Sequence, residues 1–209
     1  MNLRIDNLVT SGTFSLDGGT WDVDNNVWIV GDDSEVVVID PAHDANKIAA
    51  FVGDREVLGI LLTHAHDDHI RAARKFADLV DAPILLNPAD RMLWDEVYPD
   101  VAPDAELNDG DTFEIAGTTL EALHTPGHSP GSTCYYLGSE HTLFSGDALF
   151  NGGPGATGRS HSDFPTIITS ISAKLLVLPP ETLVLTGHGD STSIGAEAPH
   201  LAEWIARGH

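Results

Sequence analysis

The residues best equipped for chemistry in this chain lie between Thr63 and His69. His64, His66, Asp67, Asp68 and His69 place three imidazoles and two carboxylates within six residues. Imidazole combined with carboxylate suits zinc, iron or manganese, and suits calcium or magnesium poorly. The stretch follows the apolar run 57–62, which reads as a buried strand. It precedes residues 70–80, which read as a helix with Ile70, Ala73, Phe76 (or Ala77) and Val80 on one face. α/β proteins carry their ligands at such a place, beyond the carboxyl end of a strand. In extended chain, side chains two apart point the same way, so His64 and His66 share a side and a following turn brings Asp68 and His69 round to face them. A solvated polar turn would not need this density of donors, so the stretch is read as a metal site.

The rest of the chain supplies elements that could position such a site. Residues 27–30 and 36–39 read as two strands of a hairpin across the turn 31–34. Ahead of them, residues 11–22 contain the turn signal Gly18-Gly19, and Trp21 and Asp22 there are candidates for the mouth of a substrate site. Asp40, followed by Pro41, closes the strand ending at Ile39. It could accept a hydrogen bond from a metal-bound imidazole, or serve only as a strand-ending Asx turn. Residues 45–52 and 88–98 read as helices, the second with Met92, Leu93 and Val97 inward, and 83–87 as a short buried strand. A polar connector covers 101–111.

Strand signals then follow at 112–115, 118–123, 132–137 and 142–145. A loop stiffened by proline and glycine, 124–131, carries His124 and His128, and Asp147 comes directly after the strand ending at Ser145. Residues 151–162 are glycine-rich and match neither common phosphate-binding fingerprint. Asp163 or Ser162 can cap a helix running to about Leu178, with Pro165 in its first turn. A last strand at 182–185 leads to His188, and 198–206 reads as a closing helix with Leu201, Trp204 and Ile205 on its apolar side. The candidate ligands His64, His66, Asp68, His69, His128, Asp147 and His188 therefore each sit just past an apolar strand-like run. With no low-complexity linker or short repeat, residues 1–209 read as a single domain.

Composition narrows the function classes. The 209 residues are 42% hydrophobic and 20% charged, a globular balance with enough chain for a substantial core. Ten Lys and Arg against 32 Asp and Glu leave a formal net charge of -22, which repels phosphate backbones and argues against nucleic acid as a partner. No run reaches the roughly 20 apolar residues of a membrane span, and the N-terminus lacks the apolar core of a signal peptide. The single cysteine, Cys134, gives no intrachain disulfide, and the expected location is cytoplasmic.

The order and identity of these pieces resemble the metallo-β-lactamase superfamily, and within it the glyoxalase II-like branch. The resemblance is carried by residues 24–30, by Ile39-Asp40-Pro41, by the His-x-His-x-Asp-His of His64 to His69, by 125–131 with His128, by 144–150 with Asp147, and by Gly187-His188-Gly189. It implies an α/β fold, an αββα sandwich of two mixed β-sheets packed face to face with helices outside and metals at one edge. It implies that His64, His66 and His128 hold one divalent ion, that Asp68, His69 and His188 hold a second, and that Asp147 bridges them. Zinc is the expected metal, with iron or manganese as alternatives. A water or hydroxide between the ions would be the nucleophile, and Asp68 would also take a proton for the leaving thiol. His124 and Asp67 fall outside this ligand pattern.

The implied activity is hydrolysis of a low-molecular-weight-thiol thioester, a small molecule. An iron persulfide dioxygenase and a lactonase are the alternatives on the same site. Typical glyoxalase II enzymes carry a further C-terminal helical domain that this length does not accommodate, and basic residues to grip a glutathione carboxylate are not evident. His188 stands where many β-lactamases of the superfamily have cysteine, which points away from antibiotic hydrolysis. Residues 152–164 resemble the glycine-rich loop of short bacterial relatives, among them actinobacterial proteins that use mycothiol, so an S-acyl or S-formyl mycothiol is the expected substrate. Arg159 and His161 on that loop, together with Trp21, are the expected substrate contacts, unless the loop residues serve only to fix the loop to the sheet.

Overall fold

A computed structural model of the protein describes residues 3–208. The first half of the chain forms a six-stranded sheet with spatial order β1 (Arg4–Leu16), β2 (Gly19–Gly31), β3 (Glu35–Ile39), β4 (Glu56–Leu61), β5 (Ile84–Leu86) and β6 (Ala105–Glu106). The pairs β1–β2 and β2–β3 are antiparallel, and the pairs from β3 to β6 are parallel. The second half adds β7 (Thr112–Ile115), β8 (Thr118–His124), β9 (Thr133–Leu137), β10 (Thr142–Gly146), β11 (Leu149–Phe150), β12 (Gly153–Pro154), β13 (Leu183–Thr186) and β14 (Thr192–Ser193). Its main sheet runs β14-β13-β10-β9-β8-β7, with β10 and β13 parallel, while β11 and β12 form a separate small ribbon.

Strand sequence explains the layering. In β3 the run Val36-Val37-Val38-Ile39 is apolar without alternation, as a strand covered on both faces must be. Val36 and Val38 enter a core beneath α1 (Ala45–Val52), α3 (Ala73–Val80) and α4 (Arg91–Val97), joined there by Ile48, Phe76 and Trp94. Val37 and Ile39 face the other way, into a core shared with Leu120, Tyr135, Phe144 and Leu185 of the second sheet. On that sheet's far side, Leu143 and Val184 pack against Ile167 of α5 (Phe164–Ser170), Ile194 of α6 (Ile194–Glu197) and Trp204 of α7 (Leu201–Arg207). Three apolar layers thus separate helices, sheet, sheet and helices, which is the αββα sandwich.

Several sequence expectations need correction. The helix expected over 70–80 is two: α2 (Asp67–Ile70) begins inside the histidine stretch, and the chain breaks at Arg71 and Ala72 before α3. On α4 it is Trp94 that is fully buried, while Met92 is 44% exposed. On α7 Trp204 is buried and Ile205 is turned outward. The long hairpin of β1 and β2 extends well beyond the strand expected at 27–30, because its outer half is mostly Thr, Ser, Gly and Asp with only Phe14, Leu16, Trp21 and Val23 as apolar positions. Asp163, not Ser162, caps α5, accepting from the Thr166 amide with Pro165 in the first turn. α5 continues as a π-helical turn, Ile171–Leu175, and so stops short of Leu178 as a regular helix.

Candidate metal centre

The four strands β3, β4, β10 and β13 lie side by side in parallel pairs, so their carboxyl ends open on one edge of the sandwich. Asp40 ends β3, with a left-handed backbone (φ 50°) that aims its carboxylate at the loop after β4. There it accepts from the Thr63 amide (2.8 Å) and hydroxyl (2.6 Å). The Ala65 amide, between His64 and His66, donates to Asp90 (3.0 Å). Asp90 also accepts from Ser129 Oγ (2.7 Å) and the Gly131 amide (2.5 Å), so one buried carboxylate ties the His64–His66 segment to the loop carrying His128. Tyr135 Oη donates to the Leu62 carbonyl (2.7 Å) and the Thr133 amide to that of Thr63 (2.7 Å), which fixes the two sheets to each other beneath the site.

His64 Nε2 and His128 Nε2 each lie 3.0 Å from His66 Nδ1. Next to them, His188 Nε2 lies 3.1 Å from His69 Nε2 and 3.2 Å from Asp68 Oδ2. Asp147 stands between the groups: Oδ1 is 3.4 Å from His69 Nε2, and Oδ2 is 3.6 Å from His128 Nε2 and 3.5 Å from His188 Nε2. A tetrahedral zinc with ligands at about 2.0–2.1 Å separates donor atoms by about 3.3 Å, the middle of this range. Among the described residues three buried side-chain polar atoms have no hydrogen-bond partner, and two of them, His66 Nε2 and Asp147 Oδ1, belong to this cluster.

The outward nitrogens strengthen the case. His64 Nδ1 bonds to Thr63 Oγ1 (3.0 Å), His69 Nδ1 to Asp40 Oδ2 (2.9 Å), His128 Nδ1 to the Ala156 carbonyl (2.9 Å) and His188 Nδ1 to the Asp24 carbonyl (2.7 Å). Because Thr63 gives its own proton to Asp40, all four rings must donate through Nδ1. Their Nε2 atoms are left facing inward, where each ring offers a lone pair to a metal once that nitrogen carries no proton. His64, His66 and His128 could therefore hold one cation, and Asp68, His69 and His188 another, with Asp147 in reach of both.

The electrostatics of the two groups differ. Burial holds His64 well below the usual imidazole range and brings His66 to about 3. Burial would also lower His69 and His188, but neighbouring carboxylates outweigh it: Asp68, Asp147 and Asp40 raise His69, and Asp147 and Asp68 raise His188 to about 10. Burial opposes the ionised forms of Asp68 and Asp147, yet the adjacent imidazoles bring Asp68 to about 2 and Asp147 well below its ordinary value. The carboxylate-rich half thus attracts positive charge, whether as protons or as a cation.

Above the cluster is a cavity of about 180 Å³, lined by Phe14, Trp21, His66, Asp68, Arg159 and Ser160 among others. Phe14 and Trp21 stack at 5.7 Å, and the Arg159 guanidinium lies 4.2 Å from the Trp21 ring and 5.0 Å from that of Phe14. His161 is exposed at φ 68° and lies outside the cavity lining. His124 donates to the Pro130 carbonyl (2.9 Å), and Asp67 accepts from the Ser15 amide (3.0 Å) and pairs with Arg71. Phe14, Asn25, His43 and Asp90 belong to the site or its support without having been singled out in sequence. Each is an isolated polar or aromatic residue in an ordinary context; only the rarity of a buried Asp beneath a histidine loop could have flagged Asp90.

An αββα sandwich with a His and Asp metal cluster at one edge defines a class of metallo-hydrolases. The chain belongs to the metallo-beta-lactamase superfamily, whose sequence profile matches residues 20–188. It is 33% identical to the hydroxyacylglutathione hydrolase GloC of Haemophilus influenzae over 79% of this chain and 85% of that one. Among solved structures, the BLEG-1 B3 metallo-beta-lactamase is 32% identical with a TM-score of 0.76, covering 90% of this chain and 95% of its own. TTHA1623 in a di-iron-bound form is 31% identical with a TM-score of 0.72, covering 90% and 96%. Among the described residues no helix is long and apolar enough to cross a membrane.

Proposed function

We propose that the protein is a dinuclear metal hydrolase, with zinc as its metal, that cleaves a thioester of a low-molecular-weight thiol. The observation that carries this reading is Asp147, whose two oxygens lie 3.4–3.6 Å from donors of both imidazole groups, as a carboxylate shared by two ions requires. Two bound cations would acidify a water and polarise the substrate carbonyl. The chain's own groups do the rest. Asp68 lines the cavity as its carboxylate ion, where it could take the proton that the attacking water gives up and pass it on to the departing thiolate. Phe14 and Trp21 form an apolar wall, and Arg159 offers positive charge beside it in a chain of net charge -22. An aromatic wall beside a guanidinium suits a thiol carrier whose sugar faces can lie against Trp21 and whose hydroxyls can accept from Arg159, and an S-acyl or S-formyl mycothiol fits that description. The likeness to GloC, named a hydroxyacylglutathione hydrolase, supports the reaction type, and the di-iron form of TTHA1623 supports two ions.

The test is metal analysis of untagged protein followed by turnover assays on mycothiol and glutathione thioesters, a lactone, a β-lactam and a persulfide. About two zinc ions per chain with thioester cleavage is the expected result. One iron per chain with oxygen consumption on a persulfide would replace this reading with the dioxygenase. Preferred cleavage of the lactone or the β-lactam would keep the metal centre and overturn the substrate.

A further inference from the structure

Behind Asp68 runs a hydrogen-bond chain that the ligand set does not account for. Asn25, fully buried on β2, donates through Nδ2 to Asp68 Oδ2 at 3.1 Å. A carboxylate ion can only accept, so this bond fixes the orientation of the amide and leaves Asn25 Oδ1 as an acceptor. His43 Nε2 lies 2.7 Å from that oxygen and must therefore carry the proton. His43 sits in the turn between Pro41 and α1 with φ 60°, a backbone conformation that is costly for a residue with a large side chain. The turn is held by the Asp44 amide on the Ala42 carbonyl (2.7 Å) and by Thr10 Oγ1 on the same carbonyl (2.9 Å). The ring lies where a Cβ on Gly12 would overlap it, so β1 has an opening only at the position His43 fills.

We infer that His43 and Asn25 are positioning residues for Asp68. His43 locks the Asn25 amide, and the amide holds the Asp68 oxygen that faces His188 and His69 in the rotamer that completes the second cation site. A packing role for His43 would not call for a left-handed backbone, a missing side chain at Gly12 and a bond of 2.7 Å to a group that touches Asp68. Asn25 leaves the other lone pair of Asp68 Oδ2 free for a cation, so one oxygen can serve both.

This inference rests on the two-ion reading, and its test reads metal binding with no substrate present. Metal-free wild type, His43→Gly and Asn25→Ala would be titrated with Zn²⁺ against a chromophoric chelator, with Asp68→Ala identifying which association step belongs to the Asp68 side. Both variants should weaken that step by about 10- to 100-fold and leave the other within about twofold. Glycine relieves the strain at φ 60° but leaves the buried Asn25 Oδ1 unpaired, so metal-free His43→Gly should melt cooperatively within a few degrees of wild type, and an unchanged other step separates the effect from misfolding. Unchanged steps in His43→Gly overturn the inference, and so does a loss in Asn25→Ala that His43→Gly does not share. Wild type that binds a single ion would overturn the two-ion reading as well, and that result is visible before any variant is made.

Discussion

Asp40 Oδ2 holds His69 Nδ1 at 2.9 Å, and both side chains are buried. The same carboxylate accepts two hydrogen bonds from Thr63, which in turn orients His64, so one residue at the end of β3 sets the rings of two different cation sites. Asp40→Ala should therefore act on both. Metal affinity should fall about 10- to 100-fold by competition titration. The buried Thr63 amide and the His69 ring would also lose their acceptor, at a cost of about 2–4 kcal/mol in urea unfolding of the metal-free protein. Retained affinity would reduce Asp40 to a strand-ending turn.

Asp147 is a second point of convergence, reached through glycine. A Cβ on Gly187 would collide with Asp147 Oδ1, so the chain after β13 can pass the carboxylate only as glycine. Asp147→Ala should lose both ions and all activity, because the group within reach of both sites is gone. Gly187→Ala should give the same loss of metal by displacing Asp147 with every ligand still present. Elemental analysis after gel filtration would check both, and a fully metallated, active Asp147→Ala protein would remove the dinuclear centre.

How much of this was legible in the chain depends on whether a feature is local. The histidine stretch was readable because its donors all lie within six residues, and α1 was readable to its ends because Asp44 caps it at Ala45 and Gly53 stops it. β3 and β4 were readable as apolar runs covered on both faces. The break between α2 and α3 was not, since Asp67 to Val80 is uniformly helix-compatible and the interruption is imposed by Asp68 and His69 turning inward to the cluster. Asn25, His43 and Asp90 carry no periodicity at all. Their roles exist only because β2, the turn before α1 and the start of α4 are brought against the same loop, and a single sequence contains no signal for that convergence.

Uptake of the two ions should differ in pH dependence. In the metal-free protein the carboxylates raise His69, and they raise His188 to about 10, so this half of the cluster holds protons at neutral pH. A cation on that side must expel those protons, and its affinity should rise with pH from neutrality towards about 10, by up to tenfold per pH unit for each proton released. Burial lowers His64 and His66, so those rings are already neutral at pH 7 and need expel nothing. Calorimetric titration in buffers of different ionisation enthalpy should show one proton-releasing step and one that releases far fewer. Dialysis at falling pH should strip the His69 and His188 side first. Equal proton release in both steps would contradict the assignment of the carboxylate-rich half.

The substrate wall depends on a clasp between two segments far apart in sequence. Asp17, at the tip of the β1–β2 hairpin, accepts from the Ser160 amide (3.0 Å) and hydroxyl (2.6 Å), and Arg159 next to it lies over Trp21 and Phe14 of the same hairpin. These contacts hold residues 159–160 over the cavity without touching a metal-facing nitrogen. Arg159→Ala should raise KM about five- to tenfold for the thioester the protein cleaves, with kcat and metal content kept, as expected for binding energy expressed equally in ground and transition states. Asp17→Ala should raise KM in the same direction by freeing the loop, and combining the two should give less than the product of the single effects, because both act through one contact. Strictly multiplicative effects would mean that the loop and the hairpin bind substrate independently. Unchanged kinetics in Arg159→Ala would leave the guanidinium as scaffolding for the aromatic pair.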